Sequence, residues 1–187
     1  MRFVVTAGPT QEPIDPVRYL SNRSSGRMGY AIAEAALEAG HQVILISGRV
    51  NLSPPPKADF ISVLTSDEMH DAVHEQLPGC DVLIMCAAVA DYKPSKFSAD
   101  KIKKHEPKLS LELTLTRDIL ASLPKSRNFL VVGFAAETSD LKKNAQKKLQ
   151  EKHLDMIVAN DVSRADVGME SADNEVTILF PNGEMKN

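Results

Sequence analysis

The sequence has few of the features that mark secreted, membrane-spanning or nucleic-acid-coating proteins. It contains only two cysteines, Cys80 and Cys86, and no CxxC spacing, so neither a disulfide framework nor a structural zinc site is expected. No apolar run approaches the roughly 20 residues that cross a bilayer. The formal net charge of −3 supplies no excess of positive charge for coating nucleic acid. We therefore predict a cytoplasmic protein that binds neither membrane nor nucleic acid.

The usual signs of covalent catalysis are also missing. No Ser-His-Asp or Cys-His order stands out, and no carboxylate pair suggests a glycosidase. His70 and His74 lie four residues apart, but without a third ligand a solvated helix face is favoured over a metal site. Nucleotidyl transfer needs positioning and charge stabilisation more than a nucleophile. Asp91 and Glu137 are acids that fit this class, as partners for a ribose hydroxyl or magnesium.

The composition is that of one ordinary globular domain. Apolar residues make up 43% of the 187 residues and charged residues 25%, and a chain of this size buries roughly 70% of its surface. We therefore expect residues 1–187 to form a single domain.

The first informative stretch is residues 6–29, TAGPTQEPIDPVRYLSNRSSGRMG. It lies between a strand-like run at 2–5 and a helix-like run at 30–38, which is how a nucleotide-binding βαβ unit begins. The glycines are split, because Gly8 follows the strand whereas Gly26 and Gly29 come after a polar loop. We interpret the loop as a substrate-reading insertion, with a merely long surface loop as the alternative.

Apolar strand-like runs alternate with helix-like runs along the chain. The predicted strands are 2–5, 41–47, 59–64, 81–90, 109–115, 129–135, 155–159 and 175–180. The predicted helices are 30–38, 67–77 (capped by Ser66), 118–123 and 141–153. This alternation predicts an α/β fold with a Rossmann-like, doubly wound, mainly parallel sheet in three αβα layers. Its ligand is expected outside the carboxyl ends of the strands, where the TAGPT, AAVAD, FAAET and AND turns all lie.

Lysines are concentrated in two places. One is the polar segment 91–109, interpreted as a mobile lid, which contains KIKK at 101–104. The other is the helix 141–153, where Lys148 and Lys152 are four residues apart and share a face. Each group alone is more commonly a solvated surface, but together at one sheet edge they suggest a polyphosphate site.

Several motifs closely resemble those of phosphopantothenoylcysteine synthetase, the phosphopantothenate–cysteine ligase family of coenzyme A biosynthesis. They are residues 6–29, CAAVADY, KIKK, VVGFAAET and the AND turn, and the match runs in order over about residues 1–180. In bacteria this family is usually the carboxyl-terminal half of a bifunctional flavoprotein. The flavin-dependent decarboxylase half is missing, so no FMN is expected here and that half is expected fused or separate elsewhere. The family's final helical segment is also missing after Asn187, as in a truncated chain.

The resemblance implies a reaction and its partners. Family members join 4′-phosphopantothenate to L-cysteine, and bacterial ones are similar in using CTP with Mg²⁺. The implied path is an acyl-cytidylate intermediate with release of pyrophosphate and then CMP. The family also implies a homodimer, for which we predict contributions from the loop near residues 163–174 and the final strand.

The resemblance also implies which residues bind the nucleotide. They are Met85, Cys86, Ala87, Asp91, Lys101, Arg117, Asp118, Ile119, Leu120, Phe134, Lys148 and Lys152. Cytosine and ribose are expected against 85–87 with Asp91 on the sugar, and the triphosphate at the three lysines. Arg117 stands where a proline is commoner in the family. Judged from the residues alone, the core interpretation is favoured for Cys86, whereas Phe134 is equally plausible as a core or a binding residue.

Asn22 and Lys101 are the predicted catalytic residues, and Arg18 and Asn22 the predicted substrate-binding residues. An amide donor such as Asn22 can stabilise charge on the activated carbonyl, an interaction worth roughly 3 kcal/mol. By resemblance, Arg18 belongs to the pantothenate half of the site. Asn22 alone can equally be interpreted as a turn former.

Two other functions stay open at this point. CAAVAD resembles the NAG-type turn of NAD(P)-dependent short-chain reductases, but no tyrosine follows Tyr92, so the Tyr-x-x-x-Lys pair of those enzymes is missing. The other alternative is a non-catalytic nucleotide-binding module.

Overall fold

A computed structural model describes residues 1–104, 108–137, 140–161 and 175–186. The strands are β1 (Arg2–Ala7), β2 (Gln11–Pro13), β3 (Tyr19–Ser21), β4 (Gln42–Ser47), β5 (Asp59–Ser62), β6 (Val82–Met85), β7 (Tyr92–Pro94), β8 (Leu113–Leu115), β9 (Leu130–Glu137), β10 (Met156–Asp161), β11 (Val176–Leu179) and β12 (Met185–Lys186). The helices are α1 (Arg27–Glu38), α2 (Ser66–Gln76) and α3 (Leu141–Glu151). No helix in these ranges is long and apolar enough to cross a membrane.

The main sheet has eight strands in the order β12-β11-β10-β9-β6-β1-β4-β5. The six strands from β10 to β5 in this order are parallel, and β11 and β12 add an antiparallel edge. The chain winds outward in both directions from β1, so the order reverses between β1 and β6. The predicted doubly wound, mainly parallel sheet is confirmed. The reversal opens a crevice at the carboxyl ends of β1 and β6, where such sheets bind ligands.

Helices cover both faces of the sheet. On one face, α1 buries Tyr30 and Ala33 in a cluster that also contains Leu45. On the other face, α2 buries Met69 and α3 buries Leu149 in a second cluster. A fully buried side chain of this size contributes about 1.5–3 kcal/mol, so these apolar faces dock the helices. The three-layer prediction is confirmed.

Glycine brings α1 close to β1. The helix begins at Arg27, three residues before the predicted start, because Gly26 adopts a left-handed N-cap conformation with φ 76°. Gly29 then lies inside the first turn, where an added Cβ would be 2.6 Å from the Cβ of Ala7. Only glycine allows this close approach of helix and strand.

The predicted strand 81–90 was too long, because β6 ends at Met85. Residues 86–90, which we call the 86–90 loop, form no regular strand but stay beside the extension of β1, where the N–H of Ala88 donates to the carbonyl of Gly8 at 2.9 Å. Two threonines also hold their backbone: Thr6 Oγ1 accepts from the N–H of Ala87 at 3.2 Å, and Thr10 Oγ1 accepts from the N–H of Ala90 at 3.0 Å. The loop is therefore fixed by side chains of the neighbouring strand and its extension.

The predicted helix 118–123 was wrong, because the segment is a turn. The backbone N–H of Ser122 donates to the carbonyl of Asp118 at 3.1 Å, and Asp118 Oδ1 accepts from the N–H of Ala121 at 2.9 Å. A short polar side chain that binds its own backbone in this way competes with helix formation.

Two further details correct the sequence predictions. Thr65, not Ser66, caps α2, since Thr65 Oγ1 accepts from the N–H of Glu68 at 3.1 Å. Ser66 is buried, and its N–H donates to the carboxylate of Glu12 at 2.8 Å. The predicted strand 109–115 shortens to β8, which pairs with β7, a strand that was not predicted. The loop near residues 163–174, predicted to help form a dimer, lies outside the described residues.

Candidate functional site

A first cavity of about 390 Å³ lies at the carboxyl ends of β6 and β9. Its wall contains ten of the twelve residues predicted to bind the nucleotide, namely Met85, Ala87, Asp91, Arg117, Asp118, Ile119, Leu120, Phe134, Lys148 and Lys152. These residues come from four separate stretches of the chain. The sheet topology, and not proximity in sequence, brings them together.

A second cavity of about 450 Å³ adjoins the first. Asn22 and Cys86 line it together with the start of α1, and it shares Ala87, Asp91 and Phe134 with the first cavity. The crevice at the β1–β6 reversal therefore holds two connected compartments.

A separate basic cavity of about 700 Å³ contains Arg18, Lys101, Lys103, Lys104 and Lys108. It shares no lining residue with the other two cavities. The structure thus brings Lys101 together with Arg18 and does not place it beside Lys148 and Lys152.

The two lysines of α3 are held in the first cavity by acceptors of the protein. Lys148 Nζ donates to the carbonyl of Phe134 at 2.8 Å, and Lys152 Nζ pairs with the carboxylate of Asp118. Burial of Asp118 favours the neutral acid, but the hydrogen bond from Lys152, with the other polar contacts of the carboxylate, outweighs it and the pKa is lowered. Both ammonium groups are therefore fixed one helical turn apart, beside an anionic carboxylate.

Arg117 is tied to α2 while it contributes to the wall of the first cavity. Its Nε donates to Asp67 Oδ1 at 2.8 Å and its Nη1 to Asp71 Oδ1 at 2.7 Å. The hydrogen bond from Arg117 is the main reason that the pKa of Asp71 falls to about 2. Lys93 of β7 also pairs with Asp67. This residue, at the position where the family more often has proline, therefore links the cavity wall to α2.

Asn22 holds the 86–90 loop. Its Nδ2 donates to the carbonyl of Ala88 at 3.3 Å and to that of Val89 at 3.1 Å. An amide nitrogen carries two hydrogens, so both are used within the protein. Donation to a substrate, which stays a prediction, would replace one of these bonds.

Asp15 was missed by the sequence reasoning, although it organises the basic cavity. Its buried carboxylate accepts from Arg18 Nε at 2.9 Å and from the N–H of Ile102 at 3.1 Å, and Arg18 Nη2 donates to the carbonyl of Ile102 at 2.7 Å. The hydrogen bond from Arg18 holds the pKa of Asp15 far below its usual range, against the effect of burial. Asp15 and Arg18 therefore anchor the segment 101–104 at Ile102.

The remaining predicted residues have simple environments. Cys86 lies in the wall of the second cavity, where burial raises the pKa of its thiol to about 12, so it presents a protonated, unreactive sulfur. Asp91 lines both compartments of the crevice. The side chain of Glu137 lies outside the described part of the chain. Among the described residues, no three His, Cys, Asp or Glu side chains are grouped so as to hold a metal ion.

Comparisons with known proteins identify the family of the chain. A model of the family described as "DNA/pantothenate metabolism flavoprotein C-terminal domain" matches residues 1–187. The chain is 46% identical over 187 residues to the coenzyme A biosynthesis bifunctional protein CoaBC of Vibrio vulnificus (strain YJ016), with 97% of this chain and 46% of that protein covered. The chain thus spans about half the length of the curated relatives it matches.

Two solved structures have the same fold. One is the C-terminal domain of a coenzyme A biosynthesis bifunctional protein CoaBC, with a TM-score of 0.83, 42% identity, and 99% of this chain and 84% of that chain covered. The other is a Cab2 mutant in complex with phosphopantothenate-cysteine, with a TM-score of 0.80 and coverage of 100% and 79%. Its identity of 19% supports the fold alone.

Proposed function

The chain belongs to the family of DNA/pantothenate metabolism flavoprotein C-terminal domains, and from this we propose that it is a CTP-dependent phosphopantothenate–cysteine ligase. The reaction joins 4′-phosphopantothenate to L-cysteine in coenzyme A biosynthesis. The observation that carries the proposal is the first cavity, which gathers ten of the twelve predicted nucleotide residues. The protein would act in the cytoplasm as a homodimer. The decarboxylase half would be fused to it or be a separate protein.

The chemistry has two steps. The substrate carboxylate attacks the α-phosphorus of CTP, which forms an acyl-cytidylate and breaks the bond to pyrophosphate. The amine of cysteine then attacks the acyl carbon, loses a proton and displaces CMP, which leaves an amide. Neither step needs a nucleophile from the protein, in keeping with the protonated thiol of Cys86.

The cytosine and ribose would lie on the wall formed by Met85, Ala87 and Asp91, with Cys86 behind it. The backbone of this wall is fixed, because the 86–90 loop is hydrogen-bonded to the side chains of Thr6, Thr10 and Asn22. A fixed backbone suits recognition of a base by its hydrogen-bonding edge, since no ordering cost falls on binding.

The triphosphate would lie against the lysines of α3. Lys148 and Lys152 face one cavity, and a phosphate oxygen would replace Asp118 as the acceptor for Lys152. The rest of the phosphate wall would come from the turn 117–120 and Phe134. Lys101 would reach the triphosphate when the segment 101–104 closes over the crevice, with Ile102 as its fixed point.

Asp91 fits a magnesium ion that arrives with the nucleotide. Magnesium in such sites is bound by one or two carboxylates together with substrate phosphates, and Asp91 is exposed in the wall of both compartments. Bound there, the ion would neutralise charge on the triphosphate. No FMN is proposed for this chain.

Asn22 would serve the acyl intermediate from the second cavity. It already donates to Ala88 and Val89 and lines the second cavity, where the pantothenate chain would lie beside the nucleotide. Arg18 would contact the pantothenate half from the basic cavity. The reductase alternative is not favoured, because the matched family is one of pantothenate metabolism.

Incubation of the chain with CTP, Mg²⁺, 4′-phosphopantothenate and L-cysteine tests the proposal. The expected result is equal release of pyrophosphate, CMP and the amide product, with turnover that stops when phosphopantothenate is left out. A second incubation without cysteine should give cytidylate and pyrophosphate but no amide. Absence of pyrophosphate in the complete mixture, or its release without phosphopantothenate, would contradict the ligase.

A further inference from the structure

Two histidines outside the cavities converge on one point. His70 and His74 lie one turn apart on α2, and their rings stack with centroids 4.4 Å apart. Both Nε2 atoms face the hydroxyl of Ser122, at 3.1 Å from His70 and 2.8 Å from His74. Two imidazole nitrogens aimed at one small volume from positions i and i+4 have the arrangement of a bidentate chelate.

The carboxylate of Asp71 orients the imidazole of His70 through Nδ1, the ring nitrogen that does not face Ser122. Asp71 Oδ1 lies 3.1 Å from His70 Nδ1, and the same oxygen accepts from Arg117 Nη1 at 2.7 Å. Because a carboxylate accepts but does not donate, the proton of a neutral His70 is assigned to Nδ1, which leaves the lone pair on Nε2. Metal-binding histidines usually donate their other ring N–H to a carboxylate in this manner.

We propose that His70 and His74 bind a divalent transition-metal ion through their Nε2 atoms, with Ser122 Oγ or water in the positions for which the described residues supply no further His, Cys, Asp or Glu ligand. Imidazole suits Cu²⁺, Ni²⁺ and Zn²⁺, whereas Mg²⁺ prefers oxygen ligands. Affinities should follow the general order for nitrogen ligands, with Cu²⁺ above Ni²⁺ and Zn²⁺. The two imidazoles line neither compartment of the crevice, although Asp71 joins His70 to Arg117 in the wall of the first cavity. The proposal does not depend on the proposed ligase function.

The order Asp71, His70, Ser122 also matches that of a hydrolase triad, but the surroundings argue against a nucleophile. Ser122 Oγ lies 2.8 Å from the carbonyl of Ile119 as well as within 3.1 Å of both imidazoles, so its single proton is not dedicated to His70. Ser122 lines none of the three cavities defined above. Metal binding needs only the imidazoles, so a serine replacement separates the two interpretations.

Calorimetric titration of the untagged chain, freed of metal by chelator, with CuCl₂, NiCl₂, ZnCl₂ and MgCl₂ tests the site. We expect one saturable site for the first three ions and none for Mg²⁺. His74→Gln should weaken Cu²⁺ binding by at least about 10-fold, and Asp71→Asn by about 10-fold or more through loss of the orienting carboxylate. Ser122→Ala should change it by less than about 3-fold, because water replaces a weak ligand.

His41→Gln is the matched control, since His41 stacks on Phe3 and not on α2. The affinity of this variant for Cu²⁺ should equal that of the parent chain. Broadening of the His70 and His74 ring signals by paramagnetic Ni²⁺ in the parent chain gives a readout that needs no variant. Equal Cu²⁺ affinity in His74→Gln and the parent, or broadening confined to other histidines, would overturn the proposal.

Discussion

The molecule holds two groups of lysines, one in the first cavity and one in the separate basic cavity, in contrasting ways. In the first cavity, Lys148 and Lys152 extend from α3 and are held by protein acceptors. In the basic cavity, the lysines of 101–104 make no hydrogen bond or ion pair through Nζ to any described residue. That segment has no regular secondary structure and is anchored at Ile102 by Asp15 and Arg18.

The difference assigns different tasks to the two groups. Charges already held on a helix need only exchange a protein acceptor for a phosphate oxygen, so we expect them to contribute to binding of the nucleotide in its ground state. Charges on an irregular segment must be ordered before they act, so their contribution is best used in the transition state, after the substrates are bound. We therefore expect lysines of the first cavity to govern affinity and Lys101 to govern rate.

The largest expected effect is on that rate. Lys101→Gln should slow pyrophosphate release by about 100- to 1,000-fold, the range for removal of one group that stabilises developing charge, while the Kd for CTP changes by less than about 3-fold. Rapid-quench measurement of the first turnover gives the rate. Lys103→Gln, in the same cavity, is the matched control and should stay near the parent rate. An unchanged rate in Lys101→Gln would make 101–104 a solvated surface.

Asn22→Asp tests whether a residue fixed like the α3 lysines can nonetheless act on rate. Formation of the cytidylate should be little affected, whereas its conversion to amide should fall by about 100-fold, since an anion replaces a donor at the carbonyl. Trapping the cytidylate without cysteine and then adding cysteine separates the two steps. Normal conversion would show that Asn22 only holds the 86–90 loop.

Affinity should respond most to the helix lysines. Lys152→Gln removes a charge-assisted hydrogen bond worth roughly 1.5–3 kcal/mol, so the Kd for CTP should rise by about 10- to 100-fold. Lys147→Gln on the same helix is the control, because Lys147 is exposed and pairs only loosely with Glu151 at 3.8 Å. If Lys152→Gln lowered turnover but left the affinity for CTP unchanged, Lys152 would govern rate and not affinity, which would contradict this assignment.

The smallest effect is expected at Arg117. Its side chain is 44% exposed and its partners are Asp67 and Asp71, so Arg117→Ala should lower the free energy of unfolding by only about 0.2–1 kcal/mol. CTP affinity should change by less than about 3-fold, because the guanidinium is bound to α2. Urea unfolding and calorimetry measure the two quantities. A large loss of affinity would place the guanidinium on the nucleotide.

The sheet could be predicted from the sequence because buried parallel strands are continuous apolar runs, as in Gln42–Ser47. The same rule failed at CAAVA, which is apolar but forms an isolated bridge from Ala88 to Pro9 instead of a regular strand, and is held by threonines about 80 residues earlier in the chain. Asp15 was missed although its main partner, Arg18, lies only three residues away. Its bond to Ile102, 87 residues away, leaves no local pattern in the sequence.

The family resemblance predicted the members of the first cavity, but not how its lysines are held. Lys148 and Lys152 were expected at the triphosphate. The structure adds that Lys148 is bonded to the carbonyl of Phe134 and Lys152 to Asp118. Side-chain partners of this kind depend on how α3 packs beside β9 and the turn at Asp118, which no periodicity in the sequence encodes.

The most direct test of the account is a crystal of this chain grown with CTP and Mg²⁺. The account predicts cytidine against Met85 and Ala87 in the first cavity, with Lys152 Nζ moved from the carboxylate of Asp118 to a phosphate oxygen. Density for the nucleotide in the basic cavity alone, or an empty first cavity at saturating CTP, would contradict it.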